Sequence, residues 1–515
     1  MNELPPISPM DVHNQALVNN VHPPAWQNPE PAPRYNLVVI GGGTAGLITA
    51  AIGAGLGAKV ALVERHLLGG DCLNVGCVPS KGVIRASRMV AEARRAQKEI
   101  GLALAPGAQA DFGAAMERMR RIRAQISHDD SAVRYRDELG VDVFLGTARF
   151  ASHDTVDVDG AVLRFKKAVI ATGARAIALP IEGIESAGYL TNETIFNLTE
   201  RPRRLGVIGA GPIGCELAQA FRRLGCEVTV LHADAHILPR EDEDAARIVE
   251  TRFEAEGIRV VNGCKIARVE RDGSARAIVF AHRDGRSERV VVDELLLGVG
   301  RAPNVDGLDL ETVGVRYDAA RGVYANDYLQ TSNPRIYAAG DICMRKWQFT
   351  HAADAAAKIV VQNALFAIGP IARKKLSSLA MPWCTYTDPE VAHVGLYPHD
   401  AKAAGIELDT YHVPLSQVNR ASLDGEDEGF VRIHTKKGGD EILGATIVAA
   451  HAGEMISEVT LAIVAKQGLG KFLDVIHPYP TQAEGIKRAA GLYTRTRATP
   501  TVKKWLGRWM ALRRR

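Results

Sequence analysis

Residues 69–81 read Gly-Gly-Asp-Cys-Leu-Asn-Val-Gly-Cys-Val-Pro-Ser-Lys and place two cysteines, Cys72 and Cys77, five positions apart. The glycines around them permit a tight backbone, and Pro79 suits the first turn of a following helix. Cys77 would then lie at the positive end of this helix, where a thiolate is stabilised. A zinc site would need two more closely spaced ligands, and a structural disulfide is not expected in a large chain of intracellular character. The pattern therefore favours a redox-active pair of thiols.

Two stretches of the chain have the pattern of a dinucleotide-binding βαβ unit. In the first, an apolar run at 35–40 precedes a glycine turn and a helix pattern, and the next strand ends on Glu64. In the second, the run at 205–208 precedes a glycine turn, a helix through Leu224 and a strand at 227–231. Such glycines let the backbone approach a pyrophosphate at a helix N-terminus, and the terminal acid binds a ribose hydroxyl. The motif glycines are Gly41, Gly43 and Gly46 in the first unit and Gly209, Gly211 and Gly214 in the second.

The two units differ at the position of the ribose-binding acid. Glu64 lies 18 residues after Gly46, whereas His232 lies 18 residues after Gly214. An acid there favours NADH, while a nearby arginine such as Arg240 would hold the 2′-phosphate of NADPH. The missing acid favours NADPH, but Asp234 leaves NADH open.

The segment at 69–81 resembles the redox-active segment of the flavin-dependent pyridine nucleotide–disulfide oxidoreductases, which include glutathione reductase, dihydrolipoamide dehydrogenase and mercuric reductase. The similarity extends from about Tyr35 to about Ala490. It implies an α/β fold with two Rossmann-like dinucleotide-binding domains and an α+β C-terminal dimerisation domain. It also implies an NAD(P)H-dependent flavoprotein oxidoreductase that binds FAD and either NADPH or NADH and forms a homodimer. The implied segments are an N-terminal arm (1–33), an FAD-binding domain (34–181 and 304–376), an NAD(P)-binding domain (182–303), a dimerisation domain (377–490) and a basic tail (491–515).

The resemblance assigns catalytic roles around the cysteine pair. Electrons would pass from the nicotinamide to the flavin and then to a Cys72–Cys77 disulfide. Cys77 would face the flavin as the charge-transfer thiolate, and Cys72 would meet the substrate. Lys81 would pair with Glu216 near the flavin N5.

The resemblance also implies further contacts with the flavin nucleotide. Thr172 and Gly173 belong to an Ala-Thr-Gly turn beside it, and Arg301 belongs to the Gly-Arg-x-Pro-Asn crossover between the domains. Asp341 would accept hydrogen bonds from the ribityl chain. Thr350 would begin a helix whose N-terminus stabilises the charge of the reduced ring.

The sequence departs from the disulfide reductases at the acid–base position. Those enzymes have His-Pro-Thr-x-x-Glu, whereas this chain has Tyr479 in place of the histidine and retains Glu484. A phenol keeps its proton until about pH 10, so it is a poor base at neutral pH for dithiol–disulfide exchange. Mercuric reductase also has tyrosine here, which suits a soft metal ion bound by thiolates. However, no cysteine follows Cys384, so the C-terminal cysteine pair of those enzymes has no counterpart in this sequence.

Three functions remain open from the sequence. The first is a mercuric-reductase-like enzyme that reduces a metal ion or a small electrophilic acceptor. The second is a dihydrolipoamide or other disulfide reductase with His477 as a substitute base. The third is a flavoprotein that senses redox state without turnover. None requires a bound metal cofactor.

Composition is that of a large globular enzyme, with 515 residues, 46% hydrophobic and 24% charged. Its length predicts two or three domains, and the absence of a membrane span or secretory signal predicts a cytoplasmic protein. Five further cysteines among apolar neighbours are expected to be buried: Cys215, Cys226, Cys264, Cys343 and Cys384. A charged helical pattern runs from Val83 to about Leu139.

The C-terminal tail concentrates positive charge. Residues 491–515 hold eight basic residues and no acidic one, so the rest of the chain has a net charge of −4 and nucleic-acid binding is not expected. Apolar residues including Trp505 and Trp509 recur in the tail at near-helical spacing. A basic helix of this kind either lies on an anionic membrane surface or packs on the partner subunit.

Overall fold

The computed structural model describes residues 7–105, 108–344, 346–369 and 371–514. The chain forms two compact units. The first contains residues up to 235 together with 256–378, and the second contains 236–255 together with the residues from 379 onwards. The description that follows takes each unit by itself. Among the described residues, none of the helices is long and apolar enough to cross a membrane.

The first unit contains a seven-stranded sheet. Five strands are parallel, and Ile40 pairs with Val63 on one side and with Ile170 on the other, so the first strand is central. Two further strands extend the sheet as an antiparallel edge. The strands up to residue 176 are β1 (Tyr35–Ile40), β2 (Val60–Glu64), β3 (Asp142–Leu145), β4 (Ala148–Ser152), β5 (Thr155–Val158), β6 (Ala161–Ile170) and β7 (Ala174–Ala176). The helices up to residue 187 are α1 (Val12–Val21), α2 (Thr44–Gly55), α3 (Gly70–Asn74), α4 (Cys77–Ile100), α5 (Phe112–Ile126), α6 (Ala132–Asp137) and α7 (Ile184–Ala187).

A second parallel sheet follows, with strand order β10-β9-β8-β14, and a three-stranded antiparallel sheet joins its core. Both dinucleotide units therefore have the parallel strands, glycine turn and helix that the sequence predicts, and the α/β fold class is confirmed. The strands are β8 (Arg204–Ile208), β9 (Glu227–Leu231), β10 (Arg259–Val261), β11 (Lys265–Asp272), β12 (Ala275–Ala281), β13 (Ser287–Val292) and β14 (Glu294–Leu297). The helices are α8 (Pro212–Arg223) and α9 (Glu243–Ala255), of which α9 belongs to the second unit.

The chain then returns to the first sheet. Strand β15 (Arg301–Pro303) pairs with β7, and β18 (Ile336–Ala338) pairs in parallel with β6. Between them lies the hairpin of β16 (Tyr317–Asp318) and β17 (Gly322–Val323). Helix α10 (Thr350–Val361) packs on α2 and continues into a π-helical turn, Gln362–Phe366.

An antiparallel sheet in the order β19-β20-β23-β22-β21 forms the second unit, with its core against α13 and α14. This agrees with the expected α+β domain. Its strands are β19 (Pro382–Thr385), β20 (Glu390–Gly395), β21 (Leu408–Pro414), β22 (Phe430–Lys436) and β23 (Ile442–Ala449). Its remaining helices are α11 (Pro398–Ala403), α12 (Asn419–Leu423), α13 (Ala452–Val464), α14 (Glu484–Arg497) and α15 (Pro500–Arg513). Short 3₁₀ turns in the two units are Ser127–Asp130, Ile195–Asn197, Leu310–Val313, Leu376–Ser378, Leu415–Gln417 and Leu469–Leu473.

The expectation of one long helical segment from Val83 to Leu139 is wrong. Helix α4 ends at Ile100, because Gly101 adopts a left-handed backbone (φ +67°) that glycine accommodates easily. A new helix begins only after Asp111, whose carboxylate accepts from the Ala114 N–H at 3.0 Å. The segment is therefore divided into α4, α5, a 3₁₀ turn and α6.

The cysteine expectation is partly wrong, and the tail is helical. Cys215, Cys226 and Cys264 are buried, whereas Cys343 and Cys384 are only half-buried. The tail begins within α14 and continues into α15, in which Trp505 and Trp509 are 66% and 54% exposed. Its contact with a membrane or a partner subunit stays a prediction.

Candidate active site

The two cysteines lie at the junction of two helices in the first unit. Cys72 is in the short helix α3, and Cys77 is the first residue of α4, so the break at Gly76 brings their thiols into hydrogen-bond contact. Both are free thiols in the structure. Cys77 Sγ lies 3.3 Å from the hydroxyl of Thr350, the first residue of α10. Helix N-termini therefore meet the Cys77 sulfur from its own helix and from α10.

The pKa values of the two thiols are shifted in opposite directions. The hydrogen bond from Cys72, helped by the charge of Lys81 and the Thr350 hydroxyl, lowers the pKa of Cys77 to about 6. The same hydrogen bond, together with burial, raises the pKa of Cys72. At neutral pH the pair therefore consists of a thiolate at Cys77 and a thiol at Cys72.

Lys81 lies one turn after Cys77 on α4 and forms an ion pair with α8. Its Nζ is 2.8 Å from Oε2 of Glu216, and the Glu216 side chain is only 5% exposed. The lysine is 37% exposed, so the pair lies at the edge of a buried region. The structure thus brings a fixed positive charge close to Cys77, with its carboxylate partner behind it.

The first glycine turn fits a dinucleotide. Gly41 has φ +104°, and a Cβ there would lie 2.6 Å from the Ala171 carbonyl carbon, so the position requires glycine. Helix α2 begins after Gly43, and no side chain in the described part of the chain caps it, so its first N–H groups suit a pyrophosphate. Glu64 is half-buried at the end of β2 and accepts from the Gly42 and His66 N–H groups at 2.6 and 2.8 Å. Burial raises the pKa of this carboxyl.

The second glycine turn has the same backbone but a different side chain at the strand end. Gly209 has φ +99°, and a Cβ on Gly211 would meet only open space. His232 takes the place of the acid, and its Nδ1 accepts from the Ala210 N–H at 3.2 Å. Its Nε2 is 3.2 Å from Oδ2 of Asp234. The imidazole therefore reproduces the backbone contact of Glu64 but offers no carboxylate to a ribose.

Among the residues expected to contact the flavin, Arg301 and Asp341 lie close together. The Arg301 side chain is 16% exposed and pairs with Asp71 of the redox segment, and its Nε lies 3.6 Å from Oδ2 of Asp341. Burial lowers the pKa of Arg301 and raises that of Asp341. The Thr172 hydroxyl donates to the Asn304 carbonyl at 2.9 Å.

Gly173 completes the same turn. It has φ +66°, its carbonyl accepts from the Asn304 N–H at 3.0 Å, and a Cβ there would meet only open space. The crossover is thus hydrogen-bonded directly to the turn, and the open side of Gly173 is compatible with a nucleotide beside it.

The second unit carries the residues of the acid–base position. Tyr479 is 72% exposed, and its hydroxyl accepts from Asn419 Nδ2 at 3.0 Å. Glu484 begins α14 and pairs with Arg488 at 2.9 Å. The His477 side chain is 6% exposed, and its Nε2 is 3.0 Å from Glu458 Oε1. Because this side chain is buried, it is poorly accessible to a substrate thiol, which disfavours His477 as a substitute base.

Sequence reasoning missed two contacts of the redox segment. Asp71 pairs with Arg301, and the Asn74 carbonyl accepts from Arg123 at 2.5 Å. Arg120 and Arg123 lie on the otherwise apolar face of α5. Their position was the available signal of these contacts, because buried arginines need polar partners.

Sequence and structure comparisons place these features among known proteins. The sequence pattern of the pyridine nucleotide-disulphide oxidoreductase family matches residues 35–357, and that of its dimerisation domain matches 381–490. A mercuric reductase of Lysinibacillus sphaericus is 35% identical over 456 residues, 88% of this chain and 82% of that protein. A dihydrolipoyl dehydrogenase of Thermus scotoductus is 33% identical over 460 residues, 88% of this chain and 96% of that protein. A copper(II) complex of the HOCl-induced flavoprotein disulfide reductase RclA from Escherichia coli superposes with a TM-score of 0.77 at 25% identity, over 88% of this chain and 98% of that chain.

Proposed function

Because the chain belongs to the pyridine nucleotide-disulphide oxidoreductase family, we propose that it passes electrons from NADPH through the Cys72–Cys77 pair to a thiophilic metal ion. The family binds FAD and NAD(P)H, and its dimerisation domain implies a homodimer. The observation that carries the choice of acceptor is Tyr479, an exposed phenol at the position of the disulfide reductases' base.

The residues around the cysteines support the reductive half of this reaction. FAD, when bound, accepts a hydride from the reduced nicotinamide and supplies the electron pair that reduces the disulfide. Breaking the S–S bond takes two electrons and one proton and leaves a Cys72 thiol and a Cys77 thiolate. The N-terminus of α4, Lys81 and the Thr350 hydroxyl stabilise that thiolate. The Cys72 sulfur keeps the proton and is available to an acceptor.

A metal ion removes the need for a base that both takes and returns protons. Thiolates are preferred ligands of soft ions, and metal binding releases the Cys72 proton to solvent. When one Hg(II) takes two electrons from the two thiolates, or two Cu(II) ions take one electron each, the Cys72–Cys77 bond re-forms and no further proton is released. Disulfide exchange instead needs a base at the thiol, and neither Tyr479 nor the buried His477 is suited to this. The mercuric reductases and the copper(II) complex of RclA support a metal acceptor.

An acceptor screen tests the proposal. Purified holoenzyme is assayed for NADPH oxidation with Hg(II) in excess thiol, with Cu(II) in the absence of added thiol, with oxidised lipoamide and with oxidised glutathione. We expect kcat/KM with a metal ion to exceed that with either disulfide by about tenfold or more. Faster turnover of a disulfide would favour the reductase alternative, and no turnover with any acceptor would favour a redox sensor.

The preference for NADPH rests on His232. Its imidazole is held by Ala210 and Asp234 and cannot accept two ribose hydroxyls as a carboxylate does. We expect kcat/KM for NADPH to exceed that for NADH, and His232→Glu to shift the ratio toward NADH by about fivefold, or about 1 kcal/mol. Asp284→Ala, at an exposed turn of the same domain, is the matched control. An unchanged ratio in His232→Glu would overturn this assignment.

A further inference from the structure

An N-terminal arm precedes the stretch that matches the family, which begins at residue 35. Its helix α1 is capped by Asp11, whose carboxylate accepts from the Asn14 N–H at 2.9 Å. Leu17 and Val21 are fully buried, and the helix packs against α5. The arm is therefore an integral part of the first unit.

A chain of buried hydrogen bonds joins the arm to the redox segment. The Asn14 amide oxygen accepts from Arg123 Nη2 at 2.7 Å, and Arg123 Nη1 donates to the main-chain carbonyl of Asn74 at 2.5 Å. Asn74 lies between the two cysteines, and its own amide donates to the Leu68 and Gly70 carbonyls at 3.0 and 2.9 Å. Asn14, Arg123 and Asn74 are each at most 4% exposed. Arg123 thus holds the middle of the segment to α1.

A second attachment holds the residues directly before this segment. The Val21 carbonyl accepts from the Leu68 N–H at 3.1 Å. The ring of His22 contacts the His66 carbonyl oxygen through Nδ1. The arm therefore contacts the backbone both before and between the cysteines.

The buried guanidinium makes the Asn14 contact important. Burial lowers the pKa of Arg123 to about 10, so the group stays protonated at neutral pH. Its neighbour Arg120 is paired with Asp11 at 2.6 Å, whereas Arg123 relies on the two oxygen acceptors of Asn14 and Asn74. Removing one acceptor of a buried cation leaves a donor unpaired, which favours displacement of the group and of the loop it holds.

We propose that the arm is a positioning element of the redox segment, in which Asn14 orients Arg123 so that Arg123 holds the Asn74 carbonyl and keeps the two thiols in contact. The inference rests on the proposed redox role of Cys72 and Cys77. Preordering raises the effective concentration of one thiol at the other and so stabilises the disulfide. Loosening the segment would move the exchange of the protein disulfide with two glutathione thiols toward the protein dithiol and oxidised glutathione.

The test measures this exchange equilibrium in the holoenzyme. Protein equilibrated in glutathione buffers is alkylated and the fraction of reduced Cys72 is quantified. In Asn14→Ala we expect the equilibrium constant of this exchange to shift about tenfold toward the protein dithiol. This corresponds to a rise of about 30 mV in the reduction potential of a two-electron couple. Asn20→Ala is the matched control, because Asn20 lies on the same helix and its amide donates to the Ser127 hydroxyl at 2.9 Å rather than to Arg123. Asn14→Asp, which retains an acceptor for Arg123, is expected to restore the wild-type equilibrium.

Arg123→Lys provides a second variant if Asn14→Ala folds poorly. A lysine retains the charge but lacks the planar fork that reaches both acceptors, so we expect a shift in the same direction. If Asn14→Ala and Arg123→Lys shift no further than Asn20→Ala, the positioning role is overturned. If wild-type Cys72 never becomes alkylatable on addition of NADPH, the proposed function itself fails, which is a distinguishable outcome.

Discussion

The redox segment of the first unit and the Tyr479–Glu484 segment of the second differ in the chemistry that they support. Around Cys77 the structure supplies a helix N-terminus, a lysine charge and a hydroxyl, all of which favour a thiolate. Around Tyr479 it supplies an exposed phenol and an amide donor from Asn419. Reduction of the cysteine pair and proton transfer to a disulfide substrate are therefore separable functions, and the side chains of this protein support the first much better than the second.

The largest expected effect comes from removing either thiol. Cys72→Ser and Cys77→Ser are each expected to lower NADPH-dependent turnover by about a thousandfold or more, since the dithiol can no longer form. The two variants should differ in spectrum, because Cys77→Ser abolishes the long-wavelength thiolate–flavin band of the reduced enzyme whereas Cys72→Ser retains such a band even when oxidised. Cys384→Ser, in the second unit, serves as the control. Wild-type spectra and turnover in both variants would remove the pair from the mechanism.

The second-largest effect is expected from replacing Tyr479 in the second unit. Tyr479→His introduces the side chain of the disulfide reductases, and we expect lipoamide or glutathione-disulfide reduction to rise by about tenfold or more. Flavin reduction by NADPH should be nearly unchanged. Tyr479→Phe is the matched control, because it removes the hydroxyl that Asn419 contacts without adding a base. Unaltered disulfide reduction in the histidine variant would show that the tyrosine is not what limits this activity.

A smaller effect concerns the charge near Cys77. Cys77 has a pKa of about 6, so its thiolate is present above this pH and is protonated as the pH falls through it. The thiolate–flavin band should therefore be half lost near pH 6. Because the Lys81 charge lowers this pKa, Lys81→Met should move the midpoint of the band to higher pH. Lys98→Met, in the last turn of the same helix, should leave it in place. A midpoint that does not respond to Lys81 would contradict the electrostatic account.

Much of the first unit could be predicted from the sequence, because its turns, strands and helix starts depend on neighbouring residues. The glycine turns, the strands Tyr35–Ile40 and Glu227–Leu231 and the helix start at Cys77 all follow from residues close in sequence. The break at Gly101 was missed because charged helical patterns precede Gly101 and follow Asp111, although Gly101 and the Pro106-Gly107 pair are helix-stop signals in the sequence.

The supporting contacts could not be predicted because they join residues distant in sequence. Arg123 reaches Asn74 across 49 positions, and Arg301 reaches Asp71 across 230. Such pairings depend on which helix faces pack together, and charge type alone does not identify the partner. The proline-rich arm likewise gave no sign that α1 would be buried on the redox segment.

The most direct test of the comparison is a single-turnover experiment under anaerobic conditions. Enzyme reduced by two electrons is mixed with Hg(II) in excess thiol or with oxidised lipoamide, and the loss of the thiolate–flavin band is followed in the wild type and in Tyr479→His. The account predicts that Hg(II) discharges the band faster than lipoamide in the wild type, and that the histidine accelerates only the lipoamide reaction. The account would be contradicted if oxidised lipoamide discharged the band of the wild type as fast as Hg(II) does and if Tyr479→His left the lipoamide rate unchanged.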